Sequence, residues 1–587
     1  MTAAHQFGPL LTPNDVTFRL WAPGAKEVAL LTDRRHAMQP TGDGWFSSSV
    51  AGLRPSARYQ FRIDDELDVP DPASRFQPDD VHGPSEVIDQ TYQWQTKNWT
   101  GRPWHESIFL ELHVGTFSPQ GTYAGVAAKL DHVAETGFTA IELMPVADFF
   151  GRWNWGYDGV LLYAPDSAYG RPEDLKRLID AAHQRGLMMF LDVVYNHFGP
   201  EGNYLGRYAP QFFTPAQTPW GIAIDYTRPL VRRFAVENAL YWLDDFRFDG
   251  LRLDAVHAIA EPGRGLLLAE LSQAVGALAA ISGRHIHLVL ENDANRASLL
   301  DPQTDPPRGK YRAQWNDDYH HAFHVLLTSE TAGYYGDYRD PASRLARCLA
   351  EGFGYQGELS PHRGGRPRGE SSIGLPAVAF VDFLQNHDQI GNRALGERLT
   401  ALASPAAVEA ALAVTLLAPM TPLMFMGEEW GAVQPFPFFC DFRGELARAV
   451  RDGRRHEFAA AFAQHSDEIP DPIAQETVRL ATLDWDAAAL SPHRERLDLV
   501  RRLLAARKTF IVPRLPDLSV GPGRTSFADG VLVASWQFRS REGLHLLANL
   551  SDRAAFCPQW PRGETIWGEG PAEHLPPWAV YAVLETR

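Results

Sequence analysis

The first hundred residues alternate apolar and polar positions in short runs broken by turn residues. The runs Val16-Thr17-Phe18-Arg19-Leu20-Trp21, Val28-Ala29-Leu30-Leu31 and Tyr59-Gln60-Phe61-Arg62-Ile63 have the period of two that belongs to strands with one buried face. Ala22-Pro23-Gly24 and Gly42-Asp43-Gly44 supply turns, so the pattern predicts a small β-sandwich. The Pro- and Asp-rich stretch from Val69 to Pro78, leading to His82-Gly83-Pro84-Ser85, reads as a connector leaving it. Trp21 and Trp45 could stack sugars, but in so small a sandwich the core is the better place for them.

After about Trp104 the rhythm changes to short apolar runs separated by helical stretches, the signature of βα units and a parallel sheet. Eight candidate strands are legible: Ile108–Val114, Ala140–Met144, Met188–Val194, Gly250–Leu253, Ile286–Leu290, a weak one at Ala313–Trp315, Ala379–Leu384 and Pro422–Met426. Between them, stretches such as Pro172–Arg185 and Val231–Asp244 repeat apolar residues at three- and four-residue spacings. Eight such units close naturally into an α/β (β/α)8 TIM barrel, whose active site lies at the C-terminal strand ends. From about Lys508 alternation returns in Gly530–Phe538, His545–Leu550 and Ala579–Leu584, predicting a C-terminal β-sandwich. The predicted organisation is therefore 1–90 sandwich, 91–507 barrel and 508–587 sandwich.

Composition narrows the classes of function. The net charge of -17 argues against a phosphate-backbone partner, because nucleic-acid sites need clustered Lys and Arg. With 16 Trp, 18 Tyr and 32 Phe the chain is aromatic-rich, which suits sugar stacking as well as core packing. Cys348, Cys440 and Cys557 are far apart and form no Cys-x-x-Cys pair, so a reduced, cytoplasmic protein is expected. The N-terminus lacks the basic and apolar regions of a signal peptide. Ala411–Met426, the most apolar run, is broken by Pro419 and Pro422 and is expected to be buried protein, not a membrane span.

The chemistry centres on Phe248-Asp249-Gly250-Leu251-Arg252-Leu253-Asp254-Ala255-Val256-His257. In a strand, Arg252 and Asp254 share a face, and a guanidinium beside a carboxylate keeps it ionised and oriented. Alone, that pair could equally be a structural ion pair or a nucleophile with its orienting partner. Three other strand ends weigh for the second: Asp192, Asn196 and His197 follow one strand, Glu291 and Asp293 another, His387 and Asp388 a third. Each singly could be a helix cap or a turn. Together they gather acids and histidines on the barrel face that carries catalysis. Two carboxyl groups across a cleft are the working parts of a retaining glycosidase, with Asp254 suited to attack and Glu291, ending an apolar strand, suited to hold a proton. Asp388 would bind and distort the ring, and His197, His257 and His387 would donate to hydroxyls.

At these residues the sequence resembles the α-amylase superfamily, whose four short regions appear in order: Asp192–His197, Gly250–His257, Glu291-Asn292-Asp293 and Gln385–Gln389. The resemblance implies Asp254 as nucleophile, Glu291 as proton donor and Asp388 as transition-state stabiliser. Asn154-Trp155-Gly156-Tyr157-Asp158 is similar to the superfamily's loop whose tyrosine stacks under the sugar, marking Tyr157 and Asp158 as substrate-binding. Within the superfamily, Phe383–Arg393, Asp71–Pro78 with Val81–Ser85, and Phe425–Trp430 followed by Pro437–Asp441 resemble the maltooligosyltrehalose trehalohydrolase family over nearly the whole chain. That likeness implies hydrolysis of the α-1,4 bond joining a maltooligosyl chain to a terminal trehalose, with related α-1,4-glucans as ligands. It also implies a substrate-binding set of Arg252, Trp315, Asn316, Asp317, Asp318, Gln389, Asn392 and Arg393 beside the histidines. No metal or cofactor is expected: Asn196 sits where many secreted amylases hold calcium, but no acidic cage surrounds it in sequence. No nucleic-acid or membrane partner is expected, and the chain is expected to be a monomer or homodimer. The rival readings are a glucan branching or debranching enzyme and a silent glucan-binding scaffold; intact Asp254, Glu291 and Asp388 speak against the scaffold.

Overall fold

Trp21 and Trp45 are cross-strand partners at the end of an antiparallel pair, Asp15–Trp21 against Trp45–Ala51. Both tryptophans serve the core, Trp21 packing on Phe212 at 5.5 Å between ring centres and Trp45 on Phe7 at 5.2 Å. The computed structural model describes residues 6–218, 221–301, 310–459, 469–558, 560–570 and 573–586. Leu10–Leu11, Asp15–Trp21, Trp45–Ala51 and Gln39–Gly42 form one N-terminal sheet. Arg35–Ala37, Val28–Leu31, Arg58–Ile63 and Leu67–Val69 form the second, with Ser85–Glu86 also pairing on Arg58–Ile63. Alternate residues Val16, Phe18 and Leu20 are buried between the sheets, as strand periodicity requires.

The eight expected βα strands close into one parallel barrel. They are β1 (Phe109–Leu112), β2 (Ala140–Leu143), β3 (Met188–Val193), β4 (Gly250–Leu253), β5 (His287–Leu290), β6 (Ala313–Trp315), β7 (Phe380–Asp382) and β8 (Thr421–Phe425). The side-chain period of two sorts each strand. Leu110, Leu112, Leu251, Leu253, Leu288 and Leu290 belong to the large core shared with the helices, whereas Phe109, Phe190, Val289 and Leu423 form a separate apolar cluster inside the barrel, with Trp104. The next inward layer toward the C-terminal end is polar: Glu111, Glu142, Asp192 and Arg252 are all buried. Gly250 makes the change of layer possible. A Cβ there would lie 2.2 Å from the Phe190 ring and 2.6 Å from the His287 carbonyl oxygen.

Helices follow as the spacing predicts, at Pro172–Gln184 and at Pro229–Asp244, which opens on a proline suited to a first turn. The Ala411–Met426 run is divided between the buried helix Pro405–Leu417 and β8. Gly263–Ser282 is the one helix, among the described residues, long and apolar enough to cross a membrane; here it lies on the barrel with Leu267, Leu271, Val275 and Ala279 buried. The chain at Lys508 differs from expectation. Residues Arg507–Asp517 continue as π and 3-10 turns, because Arg507 is buried and donates to the carbonyls of Leu416 (3.1 Å) and Met420 (2.5 Å). β-structure resumes only at Arg524–Ala528, in a five-stranded sheet with Val531–Gln537, Gly543–Asn549, Val580–Glu585 and Glu564–Trp567.

Candidate active site

The strand ends of β3, β4, β5 and β7 open on a single cleft of about 550 Å3. At its floor, Arg252 Nη1 donates to Asp192 Oδ2 and Asp254 Oδ1, each at 2.7 Å. The guanidinium lies over the Trp315 ring, 4.2 Å from its centre, which fixes its plane without supplying a competing acceptor. Asn196 Nδ2 donates to the other Asp254 oxygen at 2.9 Å. Both carboxylate oxygens of Asp254 are thus held, and the side chain, 15% exposed, faces the cleft. The following residue, Ala255, takes a left-handed turn (φ 40°), and its N–H donates to Glu291 Oε2 at 2.6 Å. This ties the end of β4 to the end of β5.

Burial pushes the Glu291 carboxyl well above its ordinary value; Arg252 pulls the other way, and the charges of Asp254, Asp317 and Asp388 add to the rise. A carboxyl of this kind keeps its proton where free glutamate has lost it. Asp192 is pushed up to about 6 by burial against the pull of Arg252. Asp388 is exposed on the cleft, and its Oδ1 accepts from Asn392 Nδ2 at 2.7 Å. The protein mass around it raises its carboxyl, with Asp254 adding and His387 opposing, an effect that a covering sugar strengthens. Tyr157 stacks on His387 (centres 5.1 Å, planes 26° apart) and donates its hydroxyl to Asp192 Oδ2 at 2.5 Å. His197, beside it, is hydrogen-bonded to the Tyr157 carbonyl at 2.9 Å.

The cleft lining contains Tyr157, Asp158, His197, Arg252, His257, Asp317, His387, Gln389 and Asn392 from the expected set, with Asp254, Glu291 and Asp388. Four expected substrate-binding residues do not reach it. Trp315 is buried under Arg252. Asn316 is turned into the barrel wall, donating to Gly352 O (3.0 Å) and Asp382 Oδ1 (2.8 Å). Asp318 is fully buried, accepting from Asn295 Nδ2 (2.7 Å), Tyr355 N (2.8 Å) and the Tyr338 hydroxyl, and pairing with Arg368 (3.0 Å). Arg393 forks onto Glu330 at 2.7 and 3.0 Å. The resemblance marked whole stretches, Trp315–Asp318 and the run ending at Arg393, whereas successive residues of a strand end or helix point in different directions.

Other lining residues went unassigned in sequence. Trp155 and Phe438 form one wall; His321, Tyr334, Asp337, His362, Arg363 and Arg368 come from the long connection between β6 and β7. Arg363 and Arg368 both engage Asp293, which burial alone would raise but which these guanidiniums hold below its ordinary value. The available signal was the length of that connection and its content of Tyr, His and Arg. No period or motif marks it. Asn196 spends its amide on Asp254 and its oxygen on His197, and among the described residues no group of three His, Cys, Asp or Glu side chains could hold a metal ion.

Comparison with known proteins agrees with this architecture. The alpha amylase catalytic domain matches residues 90–220, the carbohydrate-binding module 48 (isoamylase N-terminal domain) residues 6–76, and a domain of unknown function, DUF3459, residues 521–581. Malto-oligosyltrehalose trehalohydrolase of Deinococcus radiodurans is 43% identical over 495 residues, covering 84% of this chain and 80% of that protein. The protein of the same name from Rhizobium sp. (strain M-11) is 40% identical and covers 91% of each. The crystal structure of a Salmonella typhimurium protein provisionally called an alpha amylase superposes with a TM-score of 0.94 at 45% identity, covering 100% of both chains. A pullulanase from Paenibacillus barengoltzii, at 18% identity and a TM-score of 0.71, shares the fold. On identity of this extent, the chain belongs to the malto-oligosyltrehalose trehalohydrolase family of α-amylase-type glycoside hydrolases.

Proposed function

We propose that this enzyme hydrolyses, with retention, the α-1,4 bond between a maltooligosyl chain and a terminal trehalose, releasing trehalose. One observation carries the reaction type: Asp254, held by Arg252 and Asn196, shares a cleft with Glu291, whose carboxyl burial pushes upward. Asp254 attacks the anomeric carbon, Glu291 protonates the leaving oxygen and later takes a proton from water, and Asp388 stabilises the oxocarbenium-like state. Tyr157 lies flat beneath the sugar being cleaved, and Asp158, His197, His257, His387, Gln389 and Asn392 offer polar groups to its hydroxyls. The choice of trehalose as leaving group is supported by the relatives' name over most of the chain. A glucan branching enzyme of Corynebacterium efficiens matches only 41% of it, at 34% identity.

The same reading places the enzyme in a reducing cytoplasm, supported by three free cysteines of which Cys348 and Cys440 are buried. It takes no nucleic acid, supported by the net charge of -17, and acts as a monomer or homodimer without a membrane partner. The test is product identification. Purified enzyme given maltooligosyltrehalose releases trehalose quickly, and cuts the maltooligosaccharide of equal length with a free reducing end far more slowly. Equal rates on the two substrates would sink the assignment.

A further inference from the structure

Glu111, on β1, is buried and directly behind the cleft. Its two oxygens accept from one residue of β7's end: Oε2 from the His387 backbone N–H at 3.2 Å, and Oε1 from His387 Nδ1 in a short contact. The ring cannot swing away, because Tyr157 stacks on one face, Trp155 meets it edge-on at 5.5 Å and Trp315 lies 6.1 Å off. Nδ1 is therefore committed, and Nε2 is the nitrogen left for the cleft that His387 lines.

We propose that Glu111 is a positioning residue that decides which nitrogen of His387 carries a proton, so that His387 donates into the cleft from Nε2 only as an imidazolium ion. The reason is one of valence. A carboxylate whose oxygens both accept requires a proton on Nδ1, and a neutral imidazole has only one proton. Neutral His387 would thus present a lone pair at Nε2, and a sugar hydroxyl there would have to donate. The surroundings favour the charged form. Burial works against it, but Glu111 outweighs that and Asp388 helps, while Arg252 opposes; His113, itself pushed down to about 4 by burial, adds no charge at neutral pH, and the net direction for His387 is upward. Tyr157 faces the ring as well, and Glu142 and Asp192 stand beyond Glu111 and Arg252 in the same polar layer.

This deepens the site reading above and rests on it for the identity of the acceptor, but the tautomer can be read without substrate. With ¹⁵N-labelled histidine and His387→Asn to assign the signal, wild-type His387 is expected to lose its second proton above the ordinary imidazole range and to titrate to the Nδ1–H form. Glu111→Gln reverses the tautomer: its carbonyl must take the backbone N–H of His387, so its amide donates to Nδ1 and leaves a neutral Nε2–H. A wild type that titrates to Nε2–H, or a Gln variant with unchanged tautomer, overturns the proposal. In kinetics on maltooligosyltrehalose, Glu111→Gln keeps kcat/KM within about tenfold, the difference between a charged and a neutral donor. Glu111→Ala, which frees the ring, loses about a hundredfold. Wild-type kcat/KM in a folded Ala variant also overturns it. Absence of trehalose release by the wild type would sink the substrate reading alone, leaving the tautomer measurement to judge Glu111.

Discussion

Asp192 and Asp254 take the same nitrogen of Arg252, each at 2.7 Å, though they stand at the ends of neighbouring strands. The guanidinium is 2% exposed, so the pair of carboxylates is held apart by a cation rather than by water. Replacing Arg252 would leave two neighbouring carboxyl groups without the cation between them. The arrangement holds Asp254 aimed at the cleft, while Asp192, deeper, is pushed up to about 6 by burial.

If Asp254 attacks and Glu291 donates, the two must fail in different ways. Asp254→Asn and Glu291→Gln are each expected to lower kcat on the order of 10⁴-fold with the fold retained, as seen by circular dichroism. Added azide, a small nucleophile that needs no general base, should then restore turnover of an activated aryl glucoside in the Asp254 variant with inverted product stereochemistry. Near-normal kcat in either variant would remove that residue from its role.

The proton on Glu291 sets the alkaline edge of activity. Its carboxyl is raised, so the acid form persists above the ordinary glutamate range and is lost as pH climbs through the raised value. In a kcat/KM profile the descending limb therefore lies well above the range of an ordinary carboxyl. With an activated aryl glucoside, whose leaving group needs no proton, this limb should be weakened. A descending limb near the ordinary glutamate range would contradict the assignment.

Gly250 is required for space. Gly250→Ala puts a methyl group against the Phe190 ring and, at 2.6 Å, against a backbone oxygen that cannot turn aside. The expected cost is about 1–3 kcal/mol of stability from overpacking. Because β4 carries Arg252 and runs directly into Asp254, turnover should fall in the same variant. A thermal melt indistinguishable from wild type would show that the barrel interior yields more than its packing suggests.

Strand and helix periods, and the acids and histidines that end four of the strands, are local properties, and the sequence alone determined them. The β1 to β8 series, both flanking β-regions and the placing of Asp254, Glu291 and Asp388 on one face were legible because a period of two or three to four residues dictates which side chains are buried. Which polar residues of a run turn inward was not legible. Asp317 lines the cleft and Asp318 beside it is buried on Arg368, a difference of one residue on a helix. Equally invisible was Glu111, which reads as one polar position in an apolar strand and meets His387 only because β1 and the end of β7 close the same ring. The Arg363 and Arg368 grip on Asp293 also joins segments far apart in the chain. Contacts of this kind depend on the closure of the barrel and the path of its long connections, and neither is written in any local period; only the tertiary structure decided them.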